Sequence, residues 1–334
     1  MKLRAILISS SAVVLSSCGN LQSMLAPGGP AADNLAHLGW FVFVLFLVIA
    51  VIMWGLIAWV SLRRRGSFQH HQPVDAGGGQ NWILIGGFAI PFVILAVVFV
   101  SGLKGMSVFP LHGHAGTPPD IRVTGHQWWW QIEYVKGPAH ERFITASEIH
   151  IPVGQPVDID LTSIDVIHSF FVPRLHGKVD LIPGQMNRIR IQASTAGVYR
   201  GQCAEYCGAQ HAKMALTVIA EAPGDFERWL MANRAPAPTP TTPDQQHGQE
   251  IVVKGPCSLC HAITGTSAGG RTAPDLTHVA SRSTLAAGSL PNTRGYLAGW
   301  IADPQHVKPG SRMPPTGLQG GDLQDVLAYL ETLK

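Results

Sequence analysis

A short segment near position 200 places four potential metal ligands within twelve residues of chain. Cys203, Cys207, His211 and Met214 lie between two strand-like runs, in a segment punctuated by glycine. Thiolate, imidazole and thioether groups select copper over magnesium, calcium or manganese. A mononuclear copper site would need only one of these cysteines, so the second thiolate would allow two copper ions to be bridged. Such a pair needs a second terminal imidazole, which His168 could supply from a neighbouring loop.

The residues alone leave a disulfide between Cys203 and Cys207 as the alternative, because disulfides are common outside the cytoplasm. The spacing C-x-E-x-C-x-x-x-H-x-x-M, with H-S-F upstream, closely resembles the binuclear copper (CuA) loop of subunit II of haem-copper cytochrome c oxidases. The resemblance implies that five side chains bind copper: His168, Cys203, Cys207, His211 and Met214. It also implies that Glu205 binds copper through its backbone carbonyl, and magnesium or manganese through its carboxylate at the border with subunit I.

The composition limits the class of protein. Of the 334 residues, 46% are hydrophobic and only 13% are charged, which indicates membrane segments beside soluble domains. The formal net charge of +3 is too small to indicate nucleic-acid binding, and no basic stripe with interleaved aromatic residues occurs. The five cysteines do not fit a purely disulfide framework, but they fit one lipid-bearing, two copper-binding and two haem-binding residues.

The N-terminal segment has the pattern of an export signal. Two basic residues precede a short apolar run over residues 5–15, which is too short to span a membrane. The letters L-S-S-C at residues 15–18 resemble a bacterial lipoprotein box. The resemblance implies a signal peptide over residues 1–17 and a lipid on the thiol of Cys18. An ordinary signal with an incidental cysteine is the alternative.

Two uncharged apolar runs, over residues 38–62 and 82–103, each exceed the ~20 residues that cross a bilayer. Arg63-Arg64-Arg65 lies between them, so the connecting loop is expected in the cytoplasm. Residues 18–104 are therefore predicted to form an N-terminal segment and a transmembrane hairpin, with everything after it on the outer, periplasmic face. Many relatives carry an acidic residue linked to proton input where this chain has Gly79, so proton input through this subunit stays open.

Residues 121–222 have the pattern of a β domain. Residues 157–161 and 188–192 alternate apolar and polar side chains, as strands with one buried face do. Glycine and proline between the runs indicate turns. A series of short strands that carries a metal-binding loop predicts a Greek-key sandwich, and the oxidase resemblance implies an all-β cupredoxin fold over residues 105–233.

Within this domain, G-H-Q-W-W-W-Q at residues 125–131 resembles the aromatic stretch of the oxidase family. The resemblance implies that electrons from cytochrome c enter at Trp128. Three adjacent residues of a strand alternate between its faces, so Trp129 is expected to point away from Trp128 and Trp130. Packing in the core is the alternative role for any of these tryptophans.

A second domain is predicted beyond the proline-rich residues 234–243, which form a stiff, extended linker rather than a packed segment. The motif C-x-x-C-H at Cys257, Cys260 and His261 is a signature of c-type haem attachment, in which two thiols add to the haem and the imidazole binds iron. A thioredoxin-like redox pair is the alternative, but no βαβ pattern surrounds the motif. An all-α class I cytochrome c domain is expected over residues 244–334.

The sixth haem ligand is predicted to be Met313, the only methionine of this domain, in a loop that resembles the distal loop of cytochromes c. Methionine opposite histidine raises the haem potential into the range of an electron carrier. His278 and His306 are the alternatives. Pro274 lies in a P-x-L element like that of the family, in which its carbonyl would accept a hydrogen bond from His261 and orient the ring.

Two helices are expected to frame the haem domain. The first covers residues 245–254, before the C-x-x-C-H motif. The second is expected to be capped by Asp322 and closes the chain. The apolar residues on one face of this closing helix are Leu323, Val326, Leu327 and Leu330.

The resemblance covers nearly the whole chain and indicates subunit II of a bacterial respiratory cytochrome c oxidase, fused to a cytochrome c domain as in caa3-type enzymes. It implies that electrons from cytochrome c or another donor pass through a covalent haem c and CuA to the haem/CuB centre of subunit I. There oxygen is reduced and protons are translocated, with subunit III as a further partner in the membrane. A nitrous-oxide reductase domain and a copper-delivery lipoprotein are the rival classes; the hairpin argues against the first and the haem motif against the second.

Overall fold

The computed structural model describes residues 21–63, 79–107 and 117–334. The predicted signal peptide, Cys18 and the last two arginines of the triplet lie outside the described residues. The helical hairpin and the rest of the chain are separate units, divided near residues 33 and 110.

Two long apolar helices cover the predicted membrane segments and are long and apolar enough to span a bilayer. Their most apolar windows have mean hydropathies of 3.0 and 2.9, and the side chains in these windows are not buried within the protein. A helix whose apolar surface has no protein partner is suited to lipid, because its backbone groups are already paired. Both helices extend beyond the predicted 38–62 and 82–103. Their segments are α1 (Pro30–Arg63), α2 (Gln80–Leu84), a π-helical turn (Ile85–Ala89) and α3 (Ile90–Ser107).

Ten strands form two five-stranded sheets, which confirms the predicted sandwich. One sheet has the order β3-β2-β1-β5-β8 and the other β4-β10-β9-β6-β7. Strands β1 and β5 are parallel, as are β4 and β10, while the other neighbours are antiparallel. The strands are β1 (Ile121–His126), β2 (Trp129–Tyr134), β3 (Phe143–Ala146), β4 (Glu148–Pro152), β5 (Val157–Ser163), β6 (His168–Phe171), β7 (Val179–Leu181), β8 (Asn187–Ile191), β9 (Gly197–Cys203) and β10 (Ala215–Glu221).

The pairing of β5 with β8 shows why the alternating pattern holds. Ile159 lies opposite Ile189 and both are fully buried between the sheets. On the other face, Arg190 contacts Asp158 at 2.7 Å, and the next arginine and aspartate along these strands pair in the same way. Opposite charges across neighbouring strands stabilise the register, while each buried aliphatic side chain contributes about 1.5–3 kcal/mol.

The C-terminal domain is helical around its own core, as predicted, and contains a short β-hairpin. Gly248 lies where its first and last helices cross, and a Cβ atom there would be 1.9 Å from the carbonyl oxygen of Asp325. A side chain at this position would therefore push the helices apart. The elements are α5 (Pro243–Lys254), β11 (Thr284–Leu285), β12 (Leu290–Pro291), α6 (Arg294–Ala302), α7 (Pro304–Val307) and α8 (Gly320–Leu330); α4 (Pro223–Arg234) precedes the linker.

Two expectations for this part of the chain were wrong. The closing helix begins at Gly320 after Gln319, so Asp322 lies in its first turn and is not its cap; an acidic side chain there still suits the positive end of the helix. The linker also packs, because the amide of Ala237 donates to the carbonyl of Thr264 at 2.9 Å and its side chain contacts the helical core. A stiff segment next to an apolar surface can bury a small side chain at little entropic cost.

Candidate copper and haem sites

The predicted copper ligands meet at one end of the sandwich. His168 begins β6, Cys203 ends β9, and the loop between β9 and β10 carries the others. Cys203 Sγ lies 3.7 Å from Cys207 Sγ and 3.9 Å from Nδ1 of His168. Cys207 Sγ lies 3.6 Å from Nδ1 of His211 and 3.8 Å from Sδ of Met214. Strands β6 and β9 and the loop after β9 thus bring five soft or intermediate metal-binding side chains close together.

The disulfide alternative does not describe this geometry. The two sulfurs are 3.7 Å apart, whereas a disulfide bond is about 2.05 Å long. Both cysteines are free and buried. The carbonyl oxygen of Glu205 lies 3.1 Å from Cys203 Sγ, where the resemblance expects a backbone ligand.

The electrostatics of the pair fit a cationic occupant. The neighbouring Cys207 thiol, helped by His168, lowers the pKa of Cys203 to about 3. The thiolate so formed raises the pKa of Cys207, because a second negative charge would lie beside the first without compensation. A copper pair between the sulfurs would supply the positive charge that lets both be thiolates.

Asp165 determines which nitrogen of His168 faces the cysteine sulfurs. The carboxylate Oδ1 of Asp165 lies 2.8 Å from Nε2 of the ring, which leaves Nδ1 directed at the sulfurs. Asp165 is itself held, because the amides of Gln127 and Val166 donate to it at 2.7 and 2.8 Å. Burial acts to lower the pKa of His168, but hydrogen bonds to Cys203 and Asp165 outweigh it and raise the pKa. In the sequence, the only sign that Asp165 orients His168 is its position three residues before that histidine.

We call residues 203–214, which carry most of the predicted copper ligands, the copper loop. Trp128 contacts this loop, although Trp128 is not itself on a strand. It lies in the turn between β1 and β2, and its indole Nε1 donates to the carbonyl of Cys207 at 2.9 Å. Trp130 is fully buried in the core, while Trp129 is half-buried and stacks on His126. The expected alternation therefore holds for Trp129 and Trp130, but Trp128 owes its direction to the turn.

The carboxylate of Glu205 remains accessible. Its side chain is 44% exposed and lies 3.7 Å from Nζ of Lys178. In the described part of the chain, one group of histidine, cysteine or acidic side chains has its ligand atoms within 4.8 Å of one another. Its members are His168, Cys203 and Cys207. The carboxylate of Glu205 is outside this group.

The C-x-x-C-H motif begins on a short helical turn after α5 (Pro256–Leu259), and Cys260 and His261 follow this turn. Nδ1 of His261 contacts the carbonyl oxygen of Pro274 at 2.6 Å, which confirms the predicted hydrogen bond and leaves Nε2 as the nitrogen that can bind iron. Burial lowers the pKa of His261, which favours the neutral form of the ring that a metal requires. Cys257 and Cys260 are free, as attachment to a haem would require.

A buried arginine also fits a haem in this domain. The guanidinium of Arg282 is buried and donates to the carbonyl of Asp275, but its Nε has no partner in the described part of the chain. Asp275 and Glu148 supply negative charge nearby, but a buried donor without an acceptor is still costly, and a haem carboxylate is the kind of group that would accept from this Nε.

The three candidates for the sixth iron ligand differ in how free their side chains are to bind iron. The ring nitrogens of His278 contact the carbonyls of Lys334 and Ala235 at 2.8 and 3.1 Å, so neither nitrogen faces a ligand site. His306 is exposed on α7. The backbone carbonyl of Met313 is held by the side-chain amide of Gln305 at 2.8 Å, which fixes the loop that carries the thioether.

Comparison with known families identifies both domains. The family described as cytochrome c oxidase subunit II, periplasmic domain, matches residues 137–221, and the cytochrome c family matches residues 245–334. The first family implies a CuA-type copper centre and the second a haem.

The chain is also similar to known proteins over nearly its whole length. It is 32% identical to cytochrome c oxidase subunit 2 of Alkalihalophilus pseudofirmus, over 98% of this chain and 96% of that protein. It is 26% identical to the Bacillus subtilis protein of that name, over 98% and 97%. A solved structure, the periplasmic domain of subunit II of a Bradyrhizobium japonicum cytochrome oxidase, is 30% identical over 35% of this chain and 96% of that one, with a TM-score of 0.33. The chain therefore belongs to the cytochrome c oxidase subunit 2 family, with a cytochrome c domain at its C-terminus.

Proposed function

We propose that this chain is the subunit through which electrons enter a bacterial respiratory oxidase, and that it carries them through two centres of its own. Residues of the C-terminal domain would hold a covalent haem c and those of the sandwich a CuA centre, so that electrons from cytochrome c or another donor reach the second centre through the first. The electron then leaves for the haem/CuB centre of subunit I, where oxygen is reduced and protons are translocated. The observation that supports this most strongly is the open Cys203–Cys207 pair, with His168, His211 and Met214 around it.

Each ligand residue has a separate task in this proposal. Cys203 and Cys207 would hold the copper ions through their thiolates, His168 and His211 through imidazole nitrogens, and Met214 and the carbonyl of Glu205 would complete the ligand set. When bound, the copper pair and the haem each supply a one-electron redox centre. The chain holds its ligands on β6, β9 and the turn before β10, so that the sites change shape little when the electron moves.

In the C-terminal domain we assign covalent attachment to Cys257 and Cys260, and iron ligation to His261 and Met313. The hydrogen bond from His261 to Pro274 fixes the ring, which favours a constant orientation of the proximal ligand. Electrons would enter the copper domain at Trp128, whose indole Nε1 donates to the carbonyl of Cys207. The proposed limits are residues 18–104 for the N-terminal segment and membrane hairpin, 105–233 for the copper domain, 234–243 for the linker and 244–334 for the cytochrome c domain.

The membrane assignment follows from the two apolar helices. Both soluble domains would face the periplasm, and the oxidase partners would be subunit I and subunit III. The exposed carboxylate of Glu205 suits a magnesium or manganese ion whose other ligands come from subunit I, once Lys178 has moved aside. A signal peptide over residues 1–17 and a lipid on Cys18 would complete the export and anchoring of the chain.

The proposal can be tested on the complex purified in mild detergent. We expect metal analysis to give two coppers and one haem c for each copy of this chain, with the oxygen-reducing haem present only when subunit I co-purifies. The variants C203S and C207S should each abolish both the near-infrared copper absorption and oxygen consumption, while M231L, an exposed methionine on α4, should retain both. A cystine at positions 203 and 207, with no transition metal bound, would refute the proposal.

A further inference from the structure

The loop that carries Met313 is packed against the copper-binding end of the sandwich. We call residues 307–313, which lead from the end of α7 to Met313, the distal loop. Nζ of Lys308 donates to the backbone carbonyl of Trp128 at 2.8 Å and to that of Ala286 at 3.1 Å. Because Trp128 donates in turn to the carbonyl of Cys207, two hydrogen bonds connect the distal loop to the copper loop.

Three further contacts join the distal loop to the sandwich. Nε2 of Gln210 donates to the carbonyl of Pro309 at 2.7 Å, and Nζ of Lys213 donates to that of Val307. Nη2 of Arg312 lies 3.8 Å from Oδ2 of Asp165. The sandwich residues in these contacts are either neighbours of a predicted copper ligand or hydrogen-bonded to one: Gln210 precedes His211, Lys213 precedes Met214, and Asp165 contacts His168.

Of the charged residues in these contacts, Lys308 is the one that is buried. It is 3% exposed, whereas the side chain of Arg312 is 63% exposed. Exposed ion pairs contribute little, while a buried ammonium that loses its acceptors leaves an unsatisfied charge. Burial lowers the pKa of Lys308 to about 7, and nearby Lys213 acts in the same direction. The unfavourable burial of this charge therefore occurs where the haem domain contacts the backbone of Trp128.

We infer that Lys308 is the positioning residue that holds the distal loop on the copper domain, so that electrons cross from the haem to the copper centre at this contact. The inference rests on the proposed function, because it requires both centres to be present. It assigns to the Trp128 backbone a second role as the docking point of the chain's own haem domain. Misplacement of donor and acceptor groups by about 1 Å can cost on the order of 100-fold in rate.

The test is the rate of internal electron transfer in the full detergent-purified complex. A photoexcited ruthenium reductant injects one electron into haem c, and the visible band of reduced haem and the near-infrared band of oxidised copper are followed together. The variant K308M keeps the apolar stem of the side chain and removes its donors. We expect haem oxidation and copper reduction to slow together by about tenfold or more, while both absorption spectra and both midpoint potentials stay unchanged. The control is K254M, the same substitution at an exposed lysine that contacts Glu250 within the haem domain; its transfer rate should equal that of the unaltered chain.

The possible results distinguish a failure of the proposed function from a failure of the role assigned to Lys308. If the unaltered chain shows no transfer from haem to copper, the proposed function fails. If the unaltered chain and K308M transfer electrons equally fast with intact spectra, only the role of Lys308 is refuted. If K308M loses either spectrum, the transfer rate of the unaltered complex is measured over a series of ionic strengths, which distinguishes the buried contact from the exposed ones. A rate that does not change with salt supports the buried contact, and a rate that falls with salt assigns docking to the exposed Lys213 and Arg312 instead.

Discussion

Asp165 and His168 form the contact that decides which nitrogen of the histidine faces the sulfurs. Oδ1 of Asp165 lies 2.8 Å from Nε2, and Nδ1 lies 3.9 Å from Cys203 Sγ. With a carboxylate as acceptor, the proton is held on Nε2, and the lone pair of Nδ1 is available to a metal. Asp165 therefore orients a proposed copper ligand without being a ligand itself.

The first prediction concerns this carboxylate. The variant D165N keeps the size of the side chain but replaces a charged acceptor with an amide, which holds the His168 proton less strongly. We expect copper affinity to fall by about 10–100-fold, the usual cost of losing such a partner. Copper competition with a chelator of known affinity, followed by the near-infrared band, measures the change.

A matched control for D165N is D225N, which alters an exposed aspartate that contacts Arg228 on α4. Its copper affinity should equal that of the unaltered protein. If D165N also binds copper with unaltered affinity, the orientation of His168 is set by the strand alone and not by the carboxylate.

That the predicted copper ligands lie together could be predicted from sequence, because nearly all of them are close together in the chain. Cys203 to Met214 is one loop between paired strands, and the type and spacing of its side chains carry the chemistry. The turn position of Trp128 could not be predicted in this way, because a strand pattern does not show where a hairpin reverses. The β1–β2 turn takes only two residues, and Trp128 is one of them.

The contacts between the domains were beyond prediction for a different reason. Lys308 and Trp128 are separated by 180 positions, and no periodicity links them. The same holds for Glu148 and Ser283, which are separated by 135 positions. Such pairs depend on how two folded surfaces meet, which local sequence patterns do not encode.

The second prediction concerns the contact of Glu148 with Ser283 of the haem domain. The carboxylate is buried and accepts from the Ser283 hydroxyl at 2.6 Å and its amide at 3.0 Å, while His150 lies 3.3 Å away. Burial alone would raise the pKa of Glu148, but hydrogen bonds from His150 and Ser283 outweigh it and hold the pKa below its usual 4.5. The variant S283A should lower the free energy of unfolding by about 1.5–3 kcal/mol at neutral pH, since a bond to a charged group is lost.

The pH dependence of this effect has a defined sign. A carboxylate whose pKa is lower in the folded state stabilises the fold above about pH 4.5, and the stabilisation is lost as pH falls through the folded-state pKa. The deficit of S283A should therefore be complete at neutral pH and shrink in acid. The control is S281A, whose hydroxyl donates to the carbonyl of His278 within the same domain. Denaturant unfolding of the C-terminal domain, followed by haem absorbance, should show a deficit that changes with pH for S283A and a constant one for S281A; equal pH profiles would contradict the role of Glu148.

The third prediction tests Met313 as the sixth iron ligand. Methionine opposite histidine raises the haem potential, so M313L should lower the midpoint potential of haem c and open the iron to carbon monoxide. The control M231L alters an exposed methionine on α4, outside the haem domain, and should leave both properties unchanged. Redox titration and the optical shift on addition of carbon monoxide measure the two effects. His278 has both ring nitrogens on backbone carbonyls, so an unaltered potential together with no carbon monoxide binding in M313L would transfer the ligand role to the exposed His306.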